Sequence, residues 1–535
     1  MIDLADFAMS ESAYPDAEAE LAATKDEILS LIKIILQRLD GMTLVFDGVD
    51  EISDTDDFSN YLVQATSCAS GGHDSLTLQS GLEAPTSIFQ YPRPMRTKIA
   101  LFCRPDLSIP KSLLQRAFCI QLNSEHNLVD ITAFMYSCIQ GLVDEELLED
   151  HVNPSRIVSS ISSRADGMFL WAKLLIDYLR CETFTPEDRM EALDNLISLE
   201  GLDRLYHAIL QNLQERLPAK GRATVRRAFA WVAGALRPLH IDEFKLAIAI
   251  APDEKRSTVR TIPNIEQALT KMSGSLLELA SNGVVHFIHP SVRDYLYGQS
   301  PDCDVLPRFD FGLQITQTQL QLSDLCLIFI LQHGPIGPLS GSADITPDRT
   351  VVTNQYPFFD YSIEFWEEHC TAGLRSLSAS QTAVDAGTLR PLIQRINEFI
   401  LKKDLVTTWI EASWLFGCPL NLGNLVSYLG QLLLCKLQDL DQKRVEKLTA
   451  NLWLLASDIE QLRINWDSTL KMTPNEIWNP SISGFTSSDF WVKVPGSTWK
   501  YLKDAAQEQD KAIIVESQTS DDSLELALIK IVVPR

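Results

Sequence analysis

Apolar positions along the first hundred residues change their period. Between residues 17 and 39, Leu21, Ile28, Ile32, Ile35 and Leu39 recur at helical spacing while Glu18, Asp26 and Lys33 fall elsewhere, which predicts an amphipathic helix. The pattern then tightens to the short apolar run Thr43–Phe46, which ends on Asp47 in the stretch TLVFDGVDE. Such a run, bounded by turn residues, reads as a buried parallel strand. Residues 66–96 are rich in Ser, Gly, Thr and Pro and keep no period, so they predict a long loop. TKIALFC (97–103) is a second apolar run, closed by Arg104 and Pro105. This order argues for a parallel sheet with helical crossovers.

From 126 to 215 the periods are helical throughout, as in VDITAFMYSCIQGL, GMFLWAKLLIDYL and LDRLYHAILQNL. Residues 222–300 change character. Two helices and IPNIEQALTKM precede SLLELASNGVVHFIH, in which Ser-Asn-Gly separates two apolar runs and signals a hairpin; Pro290 then opens another helix. Three helices followed by a hairpin is a winged-helix order. Beyond 301 the reading is α-helical with loops and no fixed-period repeat. Eight of the ten tryptophans follow residue 360, which gives this region aromatic cores of its own. The polar segments 340–354 and 515–523 read as linkers or disordered edges.

A chain of 535 residues with 45% hydrophobic and 22% charged positions holds several domains with ample core. Lys and Arg number 46 against 71 Asp and Glu, a formal net charge of −25 that opposes nucleic acid and anionic lipid. The ten cysteines are scattered, with no C-x-x-C pair, and several, such as Cys103 and Cys435, lie inside apolar runs. That usage, and an acidic rather than basic-then-apolar start, predicts a reduced, cytoplasmic chain. LCLIFIL (325–331) is far shorter than the roughly 20 apolar residues of a spanning helix.

Candidate chemistry centres on the acids after the first strand. Asp47, Asp50 and Glu51 would lie at the carboxyl end of a parallel strand, where open α/β sheets bind ligands. The pattern suits a Mg²⁺-phosphate site, in which one carboxylate holds the metal and its neighbours orient water. An acidic turn is the simpler reading of the same residues, because Asp-Gly is common turn chemistry. No G-x-S-x-G and no H-E-x-x-H occurs. KGRATVRR (220–227) reads as a solvated basic helix face.

LVFDGVDE resembles the Walker B segment of NACHT-type signal-transduction ATPases, the nucleotide-switch core of NOD-like receptors. KIALFCRPD, DGMFLWAKLLIDYL, LDRLYHAIL, RPLHIDEFKLAIAI and VVHFIHPSVRDYL follow in the order of the family's sensor-one strand, helical segment and winged helix. FFDYSIEFWEEH (358–369) and NPSISGFTSSDFW (479–491) resemble segments after that core in fungal relatives. The resemblance covers residues 20–300 well and 355–500 loosely. It implies ATP or GTP with Mg²⁺ as cofactor. Asp47 would hold the metal, Asp50 and Glu51 would polarise the attacking water, Arg104 would sense the γ-phosphate and His289 would reach the β-phosphate of ADP. From the residues alone, Arg104 also reads as an ordinary post-strand cation, and the favoured reading of His289, before Pro290, is a cap of the wing.

The chain departs from the family in lacking any G-x-x-x-x-G-K-[ST], the Walker A loop that cradles the phosphates. The expectation is therefore an amino-truncated α/β plus α protein. It has a partial P-loop NTPase parallel sheet (1–125), a helical domain (126–215), a winged helix (216–300) and an α-helical C-terminal region (301–535). The resemblance implies a NACHT-type signalling or scaffold role with a degenerate nucleotide switch, as in fungal self/non-self recognition. Its partners would be proteins or further copies of itself, with neither membrane nor nucleic acid expected. The alternative is a fragment of an active switch whose Walker A is missing from the gene model. A winged-helix nucleic-acid binder ranks lower, because the reading helix offers only Lys271 and one acid.

Overall fold

A computed structural model of the chain describes residues 124–149, 152–197, 201–251, 259–299, 309–379, 386–418, 420–434, 441–479 and 488–492, with the shorter pieces 30–31, 43–46, 98–102, 120, 482, 513–517 and 525–529. It divides into two compact units, Met1–Asn123 and Ser124–Arg535. In the first, strands β1 (Thr43–Phe46) and β2 (Lys98–Leu101) pair in parallel, with Thr43 opposite Lys98 and Phe46 opposite Leu101. The Phe102 amide extends the ladder by donating to the Phe46 carbonyl at 2.8 Å. Both were expected to be buried strands. Instead Thr43 and Val45 are exposed, Val45 by 62%, and Leu44 and Phe46 are half-buried. Two short strands fix a direction and a register; a P-loop sheet needs more strands than the described residues hold. The helix predicted over 17–39 lies outside them except at residues 30 and 31, which are helical.

The second unit opens with a helical layer: α1 (Ser124–Asp144), α2 (Pro154–Ser162), α3 (Phe169–Leu179), α4 (Pro186–Ile197) and α5 (Leu202–Arg216). Ile131, Met135, Ile139 and Leu142 recur at helical spacing on α1, and all four are fully buried. Asn153 caps α2 by accepting from the Ser155 amide, and Pro154 sits at the first helical position, where its missing N–H costs no bond. Arg189 of α4 is buried with its guanidinium on the Leu179 and Cys181 carbonyls, at 2.7 and 3.0 Å. One fork thus satisfies carbonyls at and just beyond the end of α3.

The winged helix comprises α6 (Ala219–Gly234), α7 (Ile241–Ala249), α8 (Ile265–Ser273), β3 (Leu277–Leu279), β4 (Val285–Phe287) and α9 (Pro290–Leu296). β3 and β4 form the predicted antiparallel hairpin, Leu277 opposite Phe287. A third strand missed in the sequence is a single residue, His240, bridged to Val284. Phe229, Phe244, Leu269, Leu277 and Val285 fill the core beneath.

The remaining helices are α10 (Ile315–His333), α11 (Arg349–Gln355), α12 (Phe359–Ala379), α13 (Ala386–Leu401), α14 (Lys403–Phe416), α15 (Gly423–Leu434) and α16 (Gln442–Met472), followed by a 3₁₀ turn at Pro474–Trp478. α10 carries LCLIFIL, and Leu325 to Ile330 are all buried. A helix apolar around its circumference belongs inside a bundle. Among the described residues, no helix is long and apolar enough to cross a membrane. Trp366, Trp409 and Phe399 meet edge-on at 5.5–5.8 Å between centroids, the aromatic core expected of this region.

Two expectations fail here. Residues 340–354 are not a linker: α11 starts at Arg349, capped by Asp348, and the preceding loop is bonded to α14 and the 3₁₀ turn. The C-terminal region is also not wholly helical. β5 (Ile513–Ser517) and β6 (Glu525–Ile529) pair as an antiparallel hairpin, so part of the segment read as an edge at 515–523 is strand. The first segment is ordered by local bonds, Ser340 to the Ser342 and Ile345 carbonyls and the Asp348 cap, and by the Asn475 side chain donating to the Ala343 carbonyl from 132 positions away.

Candidate functional site

Of the five residues singled out for nucleotide chemistry, Asp47, Asp50, Glu51 and Arg104 lie outside the described residues. The register sets Phe46 beside Leu101, so β1 and β2 end at one edge of their pair. His289 is the N-cap of α9. Its Nδ1 accepts from the Ser291 amide at 3.1 Å and lies 2.7 Å from the Ser291 hydroxyl. That hydroxyl also meets the phenol of Tyr206 on α5, at 2.8 Å. Burial, opposed by this bond, pushes the Tyr206 hydroxyl up to about 12. In this structure the Nδ1 of His289 thus serves to fix the helix start, the capping role that the residues alone also allow.

The wing turns at Ser281-Asn282-Gly283, where Gly283 has φ +80° and its amide donates to the Ala280 carbonyl at 2.9 Å. The Asn282 side chain accepts from the Val284 amide, and the Gly283 carbonyl accepts from the Ile241 amide. Helix pair, one-residue strand, reading helix and wing are then in place. Residues 214–306 match the GPI inositol-deacylase winged helix domain. No curated protein and no solved structure matches the chain.

Winged helices that read DNA present a cationic helix to the phosphates. Here α8 exposes Glu266, Gln267, Thr270 and Lys271. The Lys271 ammonium is paired with Glu182 of the helical layer and holds that carboxyl below its usual range. Arg216 of α5 donates to the Lys271 carbonyl at 3.0 Å. At the end of α8, Gly274 has φ +65°, and a Cβ there would stand 2.6 Å from Ile209 Cγ2. The reading helix therefore packs against α5 through its C-terminal end.

The opposite end of the module is bonded to the C-terminal helices. Trp231 packs edge-on against Phe358 and Tyr361, at 5.3 and 5.6 Å. A hydrogen-bond chain starts and finishes on the exit of α6. The Leu236 amide donates to the Tyr361 hydroxyl at 3.0 Å, and that hydroxyl donates to His369 Nε2 at 2.8 Å. His369 Nδ1 donates to Gln319 Oε1, and Gln319 Nε2 donates to the Gly234 carbonyl at 2.9 Å. For a neutral His369, only the Nδ1–H tautomer satisfies every link. Burial holds the pKa of that imidazole down to about 3.

Arg237 lies beside this chain. It makes a forked pair with Glu243 at 2.7 and 2.9 Å, sits 3.5 Å from Asp360 and lies over the Tyr361 ring. Asp360 and Glu364 of α12, with Cys418 just past α14, bring ligand atoms within 4.8 Å of one another. Burial raises the pKa of both carboxyls against the pull of Arg237, and pushes the Cys418 thiol up to about 12. A protonated thiol and two carboxyls beside a guanidinium form a poor metal set, since ligands must lose their protons to bind.

The sequence held one unused signal for this seam. Phe358, Tyr361, Phe365 and His369 share a helical stripe, so a phenol and an imidazole on an aromatic face had to find buried partners.

Proposed function

We propose that the chain is a NACHT-like signalling or scaffold protein with a degenerate nucleotide switch, in which the winged helix is an intramolecular packing module. The observation that carries this reading is the reading helix itself. Its one cation is ion-paired within the chain, and its C-terminal end is docked on α5. A duplex would have to displace Glu182 and approach a chain of formal charge −25. The ordered motifs from LVFDGVDE to VVHFIHPSVRDYL support the NACHT-like part, and the match of 214–306 to the GPI inositol-deacylase winged helix domain supports the winged-helix module.

On this reading Asp47, Asp50, Glu51, Arg104 and His289 are the remnant of a Mg·ATP or Mg·GTP site. Without the G-x-x-x-x-G-K-[ST] cradle the site lacks most of its contacts to the triphosphate. Partners would be proteins, including further copies of the chain, in the cytoplasm, as in fungal self/non-self recognition.

Isothermal titration of the full chain with Mg·ATP and Mg·GTP is expected to show no low-micromolar binding, and Asp47→Asn should change the result little. A low-micromolar Kd abolished by that substitution would establish a working switch instead. In gel shifts at physiological salt, random duplex DNA should stay free; a complex lost on Lys271→Ala would replace this reading with a nucleic-acid one.

A further inference from the structure

Among the described helices α16 is the longest, with 31 residues from Gln442 to Met472. One side of it faces the bundle, where Val445, Leu448, Leu452, Leu455, Ile459 and Leu462 are buried. A surface helix carries charged and polar residues on its opposite side. Here that side presents Ala450, Leu454, Ser457, Gln461, Ile464 and Ser468 in one stripe, with Trp453 beside it, and none of them is charged. Trp453 is 60% exposed, Leu454 40%, Ile464 72% and Met472, at the end of the helix, 80%. The steps along the stripe alternate between four and three residues. That is the period of a coiled-coil seam.

The charges flanking the stripe are paired along the helix itself, Arg463 with Glu460 at 2.9 Å and Lys471 with Asp467 at 2.7 Å. α16 carries five bases and four acids, in a chain with 46 against 71. It is a nearly neutral strip on an acidic protein, so a second copy approaching it meets little repulsion. A two-fold contact also needs a patch that matches itself. Laid antiparallel about an axis at Ile459, the stripe does so. Leu454 of one copy falls opposite Ile464 of the other, Ala450 opposite Ser468, and Ser457 opposite Gln461. Trp453 adds an aromatic anchor beside each Leu454. A helix about 46 Å long and 10–12 Å wide covers roughly 500 Å² per copy, about 1,000 Å² in all, which reaches the lower limit of a specific interface.

We propose that the outward face of α16 is a homodimer surface, on which a second copy of the chain lays the same helix antiparallel. The inference rests on the self-association proposed above for the kind of partner, and assigns it a place.

Sedimentation velocity of the full chain across the micromolar range tests it, and a concentration-dependent dimer is expected. Ile464→Glu and Leu454→Lys each place two charges in the seam and should weaken dimerisation by about tenfold or more. Both side chains are exposed, so the native circular dichroism should be kept. Combined in one chain, the two substitutions bring the new ammonium of each copy to the new carboxylate of the other and should recover most of the lost affinity. Within one helix these positions are ten residues and so about 15 Å apart, too far for an intramolecular pair to imitate the rescue. Three results would each overturn the assignment: a monomer at high micromolar concentration, a dimer indifferent to either single substitution, or dimerisation lost in both and not restored in the double variant. None of them bears on nucleotide or DNA binding, so this inference and the function proposed above fail separately.

Discussion

Glu411 of α14 has no exposed surface, and its Oε2 accepts from the Leu339 amide at 3.0 Å and the Trp478 indole at 2.8 Å. Its other oxygen has no hydrogen-bond partner. Burial, partly offset by those two donors, pushes the carboxyl up from 4.5 to about 7. The folded chain therefore holds this proton more tightly than the unfolded one. The stability it confers is complete below pH 4.5 and is lost as pH rises through about 7. A shift of this size corresponds to roughly 3 kcal/mol. Glu411→Gln keeps an acceptor for both donors and cannot ionise. Urea unfolding should find it no more stable than the parent at pH 4.5 and more stable by up to that amount at pH 8. Equal pH profiles for the two proteins would refute the assignment. Nothing in the sequence around Glu411 separates it from a surface acid. Its environment is built by a loop some 70 residues upstream and a turn some 65 residues downstream.

At the scale of elements, the wing shows what a local code can and cannot carry. Ser281-Asn282-Gly283 between two apolar runs announced the hairpin because a tight turn needs the conformations those residues favour. The third strand left no trace, since one bridged residue, His240, has no alternation to display. Gly283 joins the two levels. Its φ of +80° is a turn requirement, while its closeness to the His240 ring follows from the third strand. A Cβ at that position would stand 2.3 Å from His240 Nε2. Gly283→Ala should cost roughly 2 kcal/mol or more, from backbone strain together with displacement of the imidazole. Combining it with His240→Ala should recover the steric part alone. Thermal melts of the two single variants and the double variant form the cycle that measures this.

For the molecule, the question is whether the winged helix opens independently of the C-terminal helices. The chain from Leu236 through Tyr361, His369 and Gln319 to Gly234 joins α6, α10 and α12, with Trp231 packed on the same face. Buried Asp324 of α10 is in turn ion-paired with Arg395 of α13. Tyr361→Phe would strand the Leu236 amide and His369 Nε2 at a cost of about 1–3 kcal/mol. In native-state hydrogen exchange, amides of α6, α10 and α12 should open as one unit, and the substitution should lower protection in all three together. Protection lost in α12 alone would show two modules merely in contact.

The helical periods of 126–215, the winged-helix order and the hairpin were legible in the residues themselves. These depend on spacing and turn chemistry within about twenty residues, where backbone geometry dictates the pattern. The sequence by itself also marked LCLIFIL as apolar on every side, which a helix in the middle of a bundle must be. Tertiary structure alone decided where the polar atoms went. It turned Lys271 toward Glu182, set His369 neutral between Tyr361 and Gln319, and paired Arg222 of the basic run KGRATVRR with Asp310. Charges and buried donors act through whatever stands within a few ångströms, and those neighbours come from segments tens to more than a hundred residues apart.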